Sequence, residues 1–139
     1  MAFGTLKFDT LTTSDSKNTS TEKSIDTSYL FNGTSISWWQ YDQTNATTDG
    51  SFNVSSISDD ATGLYTPTLA NAQANITDRS VQLTSNHESG DGYGRSTCVR
   101  HDNSGSFTTS AITVEVFHND SYAVSDNNHN FGAVLGGLA

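Results

Sequence analysis

Four histidines, one cysteine and a scatter of carboxylates are the residues of this 139-residue chain that could do chemistry. His87, His101, His118 and His129 sit among turn-forming residues, without the i, i+4 or Cys-x-x-Cys spacing of a metal site. His118-Asn-Asp120 offers two ligand types, but a solvated turn after a strand accounts for both. Asp59-Asp60 lacks the alternating Asp-x-Asp-x-Asp-Gly pattern of a calcium loop, and adjacent residues at a strand-to-turn junction point apart. Glu88 and Asp91 flank a glycine-rich turn, whereas a glycosidase needs two carboxylates held across a cleft. No Gly-x-Ser-x-Gly is present. Cys98, between Thr97 and Val99, reads as a small buried strand residue, and a single cysteine excludes an intramolecular disulfide. The expectation is a protein that is not an enzyme and holds neither metal nor cofactor.

What remains is binding chemistry, and it centres on Ile36-Ser-Trp-Trp-Gln-Tyr41, which carries both tryptophans. As a strand, it puts Ile36, Trp38 and Gln40 on one face and Ser37, Trp39 and Tyr41 on the other. Both faces carry bulk, so one meets the core and the other a second surface. Trp39 and Tyr41 share a face and would form a stacking plate for a sugar. His87 and Tyr93, in the turn of residues 86–94, are the further members of that expected ligand surface. The competing use of the rings is in the core or between subunits.

The elements that must position these residues are strands. Apolar residues make up only 33% of the chain and charged residues 15%, while Ser, Thr and Asn fill 52 of its 139 positions. With 10% aromatics set in alternating runs, the composition is not that of a disordered chain. It predicts a single all-β domain. Ser51-Phe-Asn-Val-Ser-Ser-Ile57 and Leu64-Tyr-Thr-Pro-Thr-Leu69 flank an Asp-Asp-x-x-Gly turn, as in a β-hairpin. Ile57 falls out of phase with Phe52 and Val54, which hints at a bulge. Pro67 predicts an edge strand or an irregularity. Residues 42–50 and 68–78 read as loops. Further strands fall at residues 79–85, with Val81 and Leu83 inward, and around 96–100. The longest lies at 107–117, where Ile112, Val114 and Val116 alternate strictly.

This spacing predicts an antiparallel β-sandwich, jelly-roll or immunoglobulin-like, over residues 29–131. Residues 1–28 form an extended N-terminal attachment arm. Leu6 and Phe8 lie on one side of its first segment, and residues 12–28 hold a single aliphatic side chain, Ile25. An arm of this composition is ordered only when something holds it, which favours a neighbouring subunit. Residues 132–139 form an apolar, glycine-rich C-terminal tail, read as a docking peptide. The residues expected at the attachment or subunit interface are therefore Phe3, Leu6, Phe8, Leu11, Ile25, Val134, Leu135 and Leu138.

A net charge of −9, with only six dispersed Lys and Arg, argues against nucleic acid as a partner. No stretch approaches transmembrane length, so no membrane is expected. The opening residues show no charged region followed by an apolar one, so the expectation is synthesis in a cytoplasm. Six Asn-x-Ser/Thr sequons are what chance gives in a chain this rich in the three residues. A surface-type protein without an export signal suggests assembly in a cell and release by lysis.

Ser51-Phe-Asn-Val-Ser-Ser-Ile-Ser-Asp-Asp-Ala-Thr-Gly-Leu-Tyr-Thr66 resembles a signature of small structural proteins of marine tailed bacteriophages. Trp38-Trp39-Gln40-Tyr41 is similar to the Trp-x-x-Phe pattern that precedes it in that family. The opening Gly4-Thr-Leu-Lys-Phe-Asp-Thr10 and the late Ile112-Thr-Val-Glu-Val-Phe117 resemble its leader and closing strand. The likeness covers roughly half the chain, and only the middle segment is specific. Pro67 and the tail after Gly132 depart from the pattern. The resemblance implies a virion surface component, labelled tail-fibre-like or head-decoration. Family habit adds a homotrimer, with the major capsid protein or another virion protein as partner. A host glycan is the partner in the tail-fibre alternative.

Overall fold

A computed structural model describes residues 10–13, 23–26, 34–77, 79–86, 94–100 and 108–136. The chain divides into two compact units, Met1–Thr34 and Ser35–Ala139. In the first, β1 (Thr10–Thr13) pairs antiparallel with β2 (Lys23–Asp26), with Leu11 in register with Ile25. Sequence alone gave the stretch around Lys23–Asp26 no partner. The ladder sets the one aliphatic position of that stretch opposite the nearest one upstream. Phe3, Leu6 and Phe8 lie outside the described residues.

The second unit is the β-sandwich. Its strands are β3 (Ser35–Asp42), β4 (Thr47–Phe52), β5 (Val54–Ala61), β6 (Leu64–Leu69), β7 (Arg79–Ser85), β8 (Arg95–Val99), β9 (Val114–His118) and β10 (Asn130–Gly136). Among the described residues they form two antiparallel sheets, ordered β4-β3-β10-β7 and β5-β6-β9-β8. This four-plus-four layout differs from the seven- or nine-strand immunoglobulin arrangement. The inner strands bury their inward residues fully: Trp39, Tyr41, Tyr65, Val114, Val116 and Val134, together with Ile36 and Ile112. Val54, Ile57, Val81, Leu83 and Val99 on the outer strands pack half-buried around them. The strict alternation of Ile112, Val114 and Val116 therefore marks the centre of the core. Each such side chain contributes about 1.5–3 kcal/mol by leaving water.

Several irregularities decide where the faces point. The segment from Ser51 to Ile57 is two strands. At Asn53 the chain turns with φ 54° and passes from one sheet to the other. The Asn53 side-chain amide donates to the Ile36 carbonyl at 3.1 Å. Its side-chain oxygen accepts from the Asn71 backbone at 3.0 Å and from the Asn71 amide at 2.8 Å. Asn is among the few non-glycine residues that enter this conformation readily. The register then shifts between Val54 and Ser56, which is the bulge that Ile57 signalled.

Pro67 does not make β6 an edge strand, since β6 lies between β5 and β9. Its effect is the irregularity: the Ile112 amide donates to the Pro67 carbonyl at 3.2 Å, and Pro67 has no N–H to return. Thr47–Phe52 is a strand rather than loop. Its hairpin closes in four residues, with Asp42 oxygens accepting from the Asn45 backbone at 3.0 Å and amide at 2.8 Å. Burial alone would raise the Asp42 carboxyl, but these hydrogen bonds outweigh it and hold it below its ordinary range.

Residues 132–136, expected as part of a free tail, are strand instead. Residues 130–136 form β10, flanked by β3 and β7, and Val134 is fully buried. The Gly-Ala-Val-Leu-Gly composition belongs to a central strand with its small residues facing large neighbours. Gly132 is registered opposite Trp39, and a Cβ there would lie 2.1 Å from Trp39 Cζ2.

Two outcomes are expected from urea unfolding of single-site variants. Gly132→Ala forces the indole out of place and lowers stability by about 3 kcal/mol; an unchanged midpoint would mean the ring has room to move. Asn53→Gly keeps the left-handed turn and loses only side-chain hydrogen bonds, costing about 1–2 kcal/mol. Asn53→Ala loses the bonds and adds about 1 kcal/mol of backbone cost. Equal losses would show that the backbone conformation carries no part of the effect.

Candidate binding surface

The strand β3 presents two aromatic faces, and burial decides between their expected uses. Trp39 and Tyr41, grouped as a ligand plate, are each only 1% exposed. Trp39 Nε1 donates to the Tyr65 hydroxyl at 3.3 Å, and the Tyr41 and Tyr65 rings stand 5.2 Å apart at 41°. The expected alternation holds, and of the uses open to Trp39 and Tyr41 the structure takes the core. Periodicity cannot rank two aromatic faces, and Gly132, which makes room for an inward Trp39, is 93 residues away in sequence.

Burial raises the Tyr65 phenol far above its ordinary value of 10.0; the hydrogen bond from Trp39 opposes this, and nearby Tyr41 adds to it. Burial also raises Tyr41, helped by the negative field of Asp59, Asp126, Asp42 and Asp60. All three rings belong to the buried core.

The outward ring is Trp38, 44% exposed. Gly50 lies beneath it, where a Cβ would sit 3.3 Å from Trp38 Cζ3. Phe52, 57% exposed, is directly opposite on β4. Register extends this row across the sheet as Phe52, Trp38, Ala133 and Gln82. The next row is Gly50, Gln40, Phe131 and Thr84. Small Ala133, between larger neighbours, leaves a cavity of about 290 Å³ lined by Gln82, Leu83, Thr84, Phe131, Gly132 and Ala133. None of these six carries an ionisable side chain. At the rim, Gln40 Nε2 donates to Asp49 Oδ2 at 3.4 Å, where a register shift makes Asp49 the extra residue of β4.

The remaining expected site residues scatter. Val134 is core and Leu135 is half-buried on β10, so neither belongs to a free attachment peptide. Leu138, His87 and Tyr93 lie outside the described residues. Cys98 is exposed, not buried, because Val99 takes the inward position beside it. Its thiol is raised by partial burial and by Glu115, its cross-strand neighbour. Among the described residues no group of three or more His, Cys, Asp or Glu comes together as metal ligands.

A third exposed aromatic, on the other sheet, escaped sequence reasoning. Tyr122, 78% exposed with φ 54°, stacks on Phe117 with centroids 6.1 Å apart. Together with Glu115 they line a shallow cavity of about 220 Å³. Nothing in the local pattern distinguishes Tyr122 from an ordinary turn residue.

Compared with models of protein families, with curated proteins and with solved structures, the chain gives no match. The cavity over Ala133 is lined by one side-chain amide, one hydroxyl and one aromatic ring, and by no carboxylate.

The buried tyrosines set the alkaline limit of stability. A phenol raised in the folded state contributes stability that is complete below the unfolded value of 10.0 and is lost as pH rises through the folded value. Denaturant midpoints should hold steady from neutral pH to about 9.5 and fall steeply above about 10.5. A flat profile through that range would show that Tyr41 and Tyr65 ionise without unfolding.

Proposed function

We propose that the chain is a structural protein of a tailed-bacteriophage virion, mounted on the particle surface as a capsid decoration protein or short head fibre. The observation that carries this reading is the division into a small N-terminal unit and a larger sandwich body. A surface-mounted protein needs one element to attach and one to project. The resemblance of residues 51–66 to phage structural proteins supports it, as does an acidic body with no cluster of cations. On this reading Phe3, Leu6, Phe8, Leu11 and Ile25 attach the protein to the major capsid protein or another virion protein. Val134, buried in the core, is removed from that role, while Leu135 on the outer face of β10 stays open to a subunit contact. Burial of extended chain across subunit joints, with main-chain strand addition, is how such a segment holds. The assembly is a homotrimer made in the host cytoplasm, and the chain catalyses nothing.

A second reading is a tail-fibre or receptor-binding module for a host surface glycan. The exposed Trp38 and Phe52 on the outer sheet face favour it.

Sedimentation with emptied heads that lack the protein separates the two. Saturable binding at a fixed ratio to capsid subunits, lost on removing residues 1–28, is the expected result. Full-strength binding without residues 1–28 would overturn the attachment assignment, and no binding by the whole chain would move the protein to the tail.

A further inference from the structure

We infer that Glu115, Phe117 and Tyr122 form a site for a guanidinium group, filled by an arginine side chain of a partner protein. The site stands independently of the virion reading. It lies on the outer face of the β5-β6-β9-β8 sheet, where the three residues line one cavity of about 220 Å³. Val114 and Val116 are buried, so Glu115 and Phe117, which alternate with them on β9, face outward. Register sets Glu115 between Leu64 and Cys98, and Phe117 opposite Ser96, with no cationic side chain against either.

The turn after β9 brings Tyr122 back onto this face. Its backbone N–H donates to the His118 carbonyl at 3.1 Å, that of His118 donates to the Ala123 carbonyl at 2.9 Å, and Val124 is bridged to Phe117. The Tyr122 ring thereby stacks on Phe117, with 6.1 Å between centroids and 28° between planes. It is still 78% exposed, the most open large hydrophobic side chain among the described residues. A bulky residue enters a φ of 54° only at a cost, so the turn holds the ring there against its backbone preference.

Two stacked rings and a carboxylate therefore border the same space. A cation over the face of a tyrosine ring is attracted by its quadrupole. A guanidinium adds a flat face that stacks and a fork of donors that pairs with a carboxylate. The Glu115 carboxylate makes no hydrogen bond or ion pair among the described residues, so it is open to such a fork. An apolar partner surface fits less well, because it would bury that carboxylate unpaired. The chain's three arginines are engaged in its own fold: Arg79 bonds Gln73, Arg95 bonds His118, and Arg100, two residues beyond Cys98, has a partner of its own. A second copy thus has no arginine to offer, and the donor is a different protein.

The test titrates the full-length, isotope-labelled protein with the capped tripeptide Gly-Arg-Gly and follows amide shifts by NMR. Matched peptides carry lysine, or citrulline, which keeps the shape of arginine without its charge. The arginine peptide should shift the Cys98, Phe117 and Tyr122 amides saturably and bind more tightly than the lysine peptide, while citrulline does not bind. Glu115→Gln and Tyr122→Asn should each weaken arginine binding about tenfold, whereas Trp38→Ala, on the other sheet, leaves it unchanged. Asn is at ease in the left-handed turn, and Glu115→Gln keeps the side chain's shape; urea midpoints show that both variants remain folded. Equal binding of citrulline would overturn the role of charge, and tighter binding of lysine would overturn the guanidinium. Arginine binding unchanged in both variants, or no saturable shift at all, would overturn the site.

Discussion

The indole of Trp39 fills the space that a side chain at residue 132 would need, and the rest of the sandwich depends on that fit. Trp39 is on the first strand of the body and Gly132 on the last, paired at the centre of one sheet. Its N–H then crosses to the Tyr65 hydroxyl on the opposite sheet. One side chain thus joins two strands within a sheet and ties that sheet to its partner. A glycine within a strand normally weakens it, through entropy and the missing side chain. Here the ring supplies the packing that Gly132 lacks. Gly50 and Trp38 repeat the device on the outer face, where the ring stays open to solvent.

The polar composition does not oppose this core, because amide side chains work as backbone partners at the end of the sandwich. The segment between β9 and β10 crosses from one sheet to the other. The Gln43 backbone N–H donates to the Asn127 carbonyl at 3.0 Å, and Asp126 Oδ1 accepts from the Gly63 backbone at 2.7 Å. Asn127 Nδ2 donates to the carbonyls of Asn86 and His129, and Asn130 Nδ2 to those of Asn127 and Tyr41. Asn127 and Asn130 are fully buried, and their Nδ2 groups each serve two backbone carbonyls. Gly63, with φ 70°, stands too close to the Val116 carbonyl for any Cβ. The turns of two hairpins, the end of β7 and the start of β10 are therefore fastened by one short polar strap.

Sequence made the strand content legible wherever alternation was strict and only one face was apolar. Ile112, Val114 and Val116 lie in the core as their spacing predicts, and Val81 and Leu83 face inward on β7. It failed where tertiary context chooses between equal alternatives. Trp38 and Trp39 differ by one position, and only the distant Gly132 and Gly50 decide which ring is covered. Asn53 lies within what reads as one strand, and its side chain's long-range bonds mark the crossing between sheets. The run from Asn130 to Gly136 holds a single β-branched residue, Val134, and two glycines, a weak strand signal, since its partners supply the bulk. Asn127, just before it, and Asn130, its first residue, are among the most buried of the described residues.

The same alternation links the stability of the body to the chemistry of its surface. On β10 the inward positions Asn130, Gly132, Val134 and Gly136 are buried, so Phe131, Ala133 and Leu135 are turned to the outer face. A change that slipped β10 by one residue would set Phe131 or Ala133 against Trp39 and turn Gly132 outward, because strand side chains repeat every two residues. Core packing and outer-face composition are thus fixed by one register. That register is held by the Trp39–Gly132 fit on one side and by an unbroken ladder to β7 on the other. The outer aromatic face needs no separate scaffold: its spacing is the consequence of the packing beneath it.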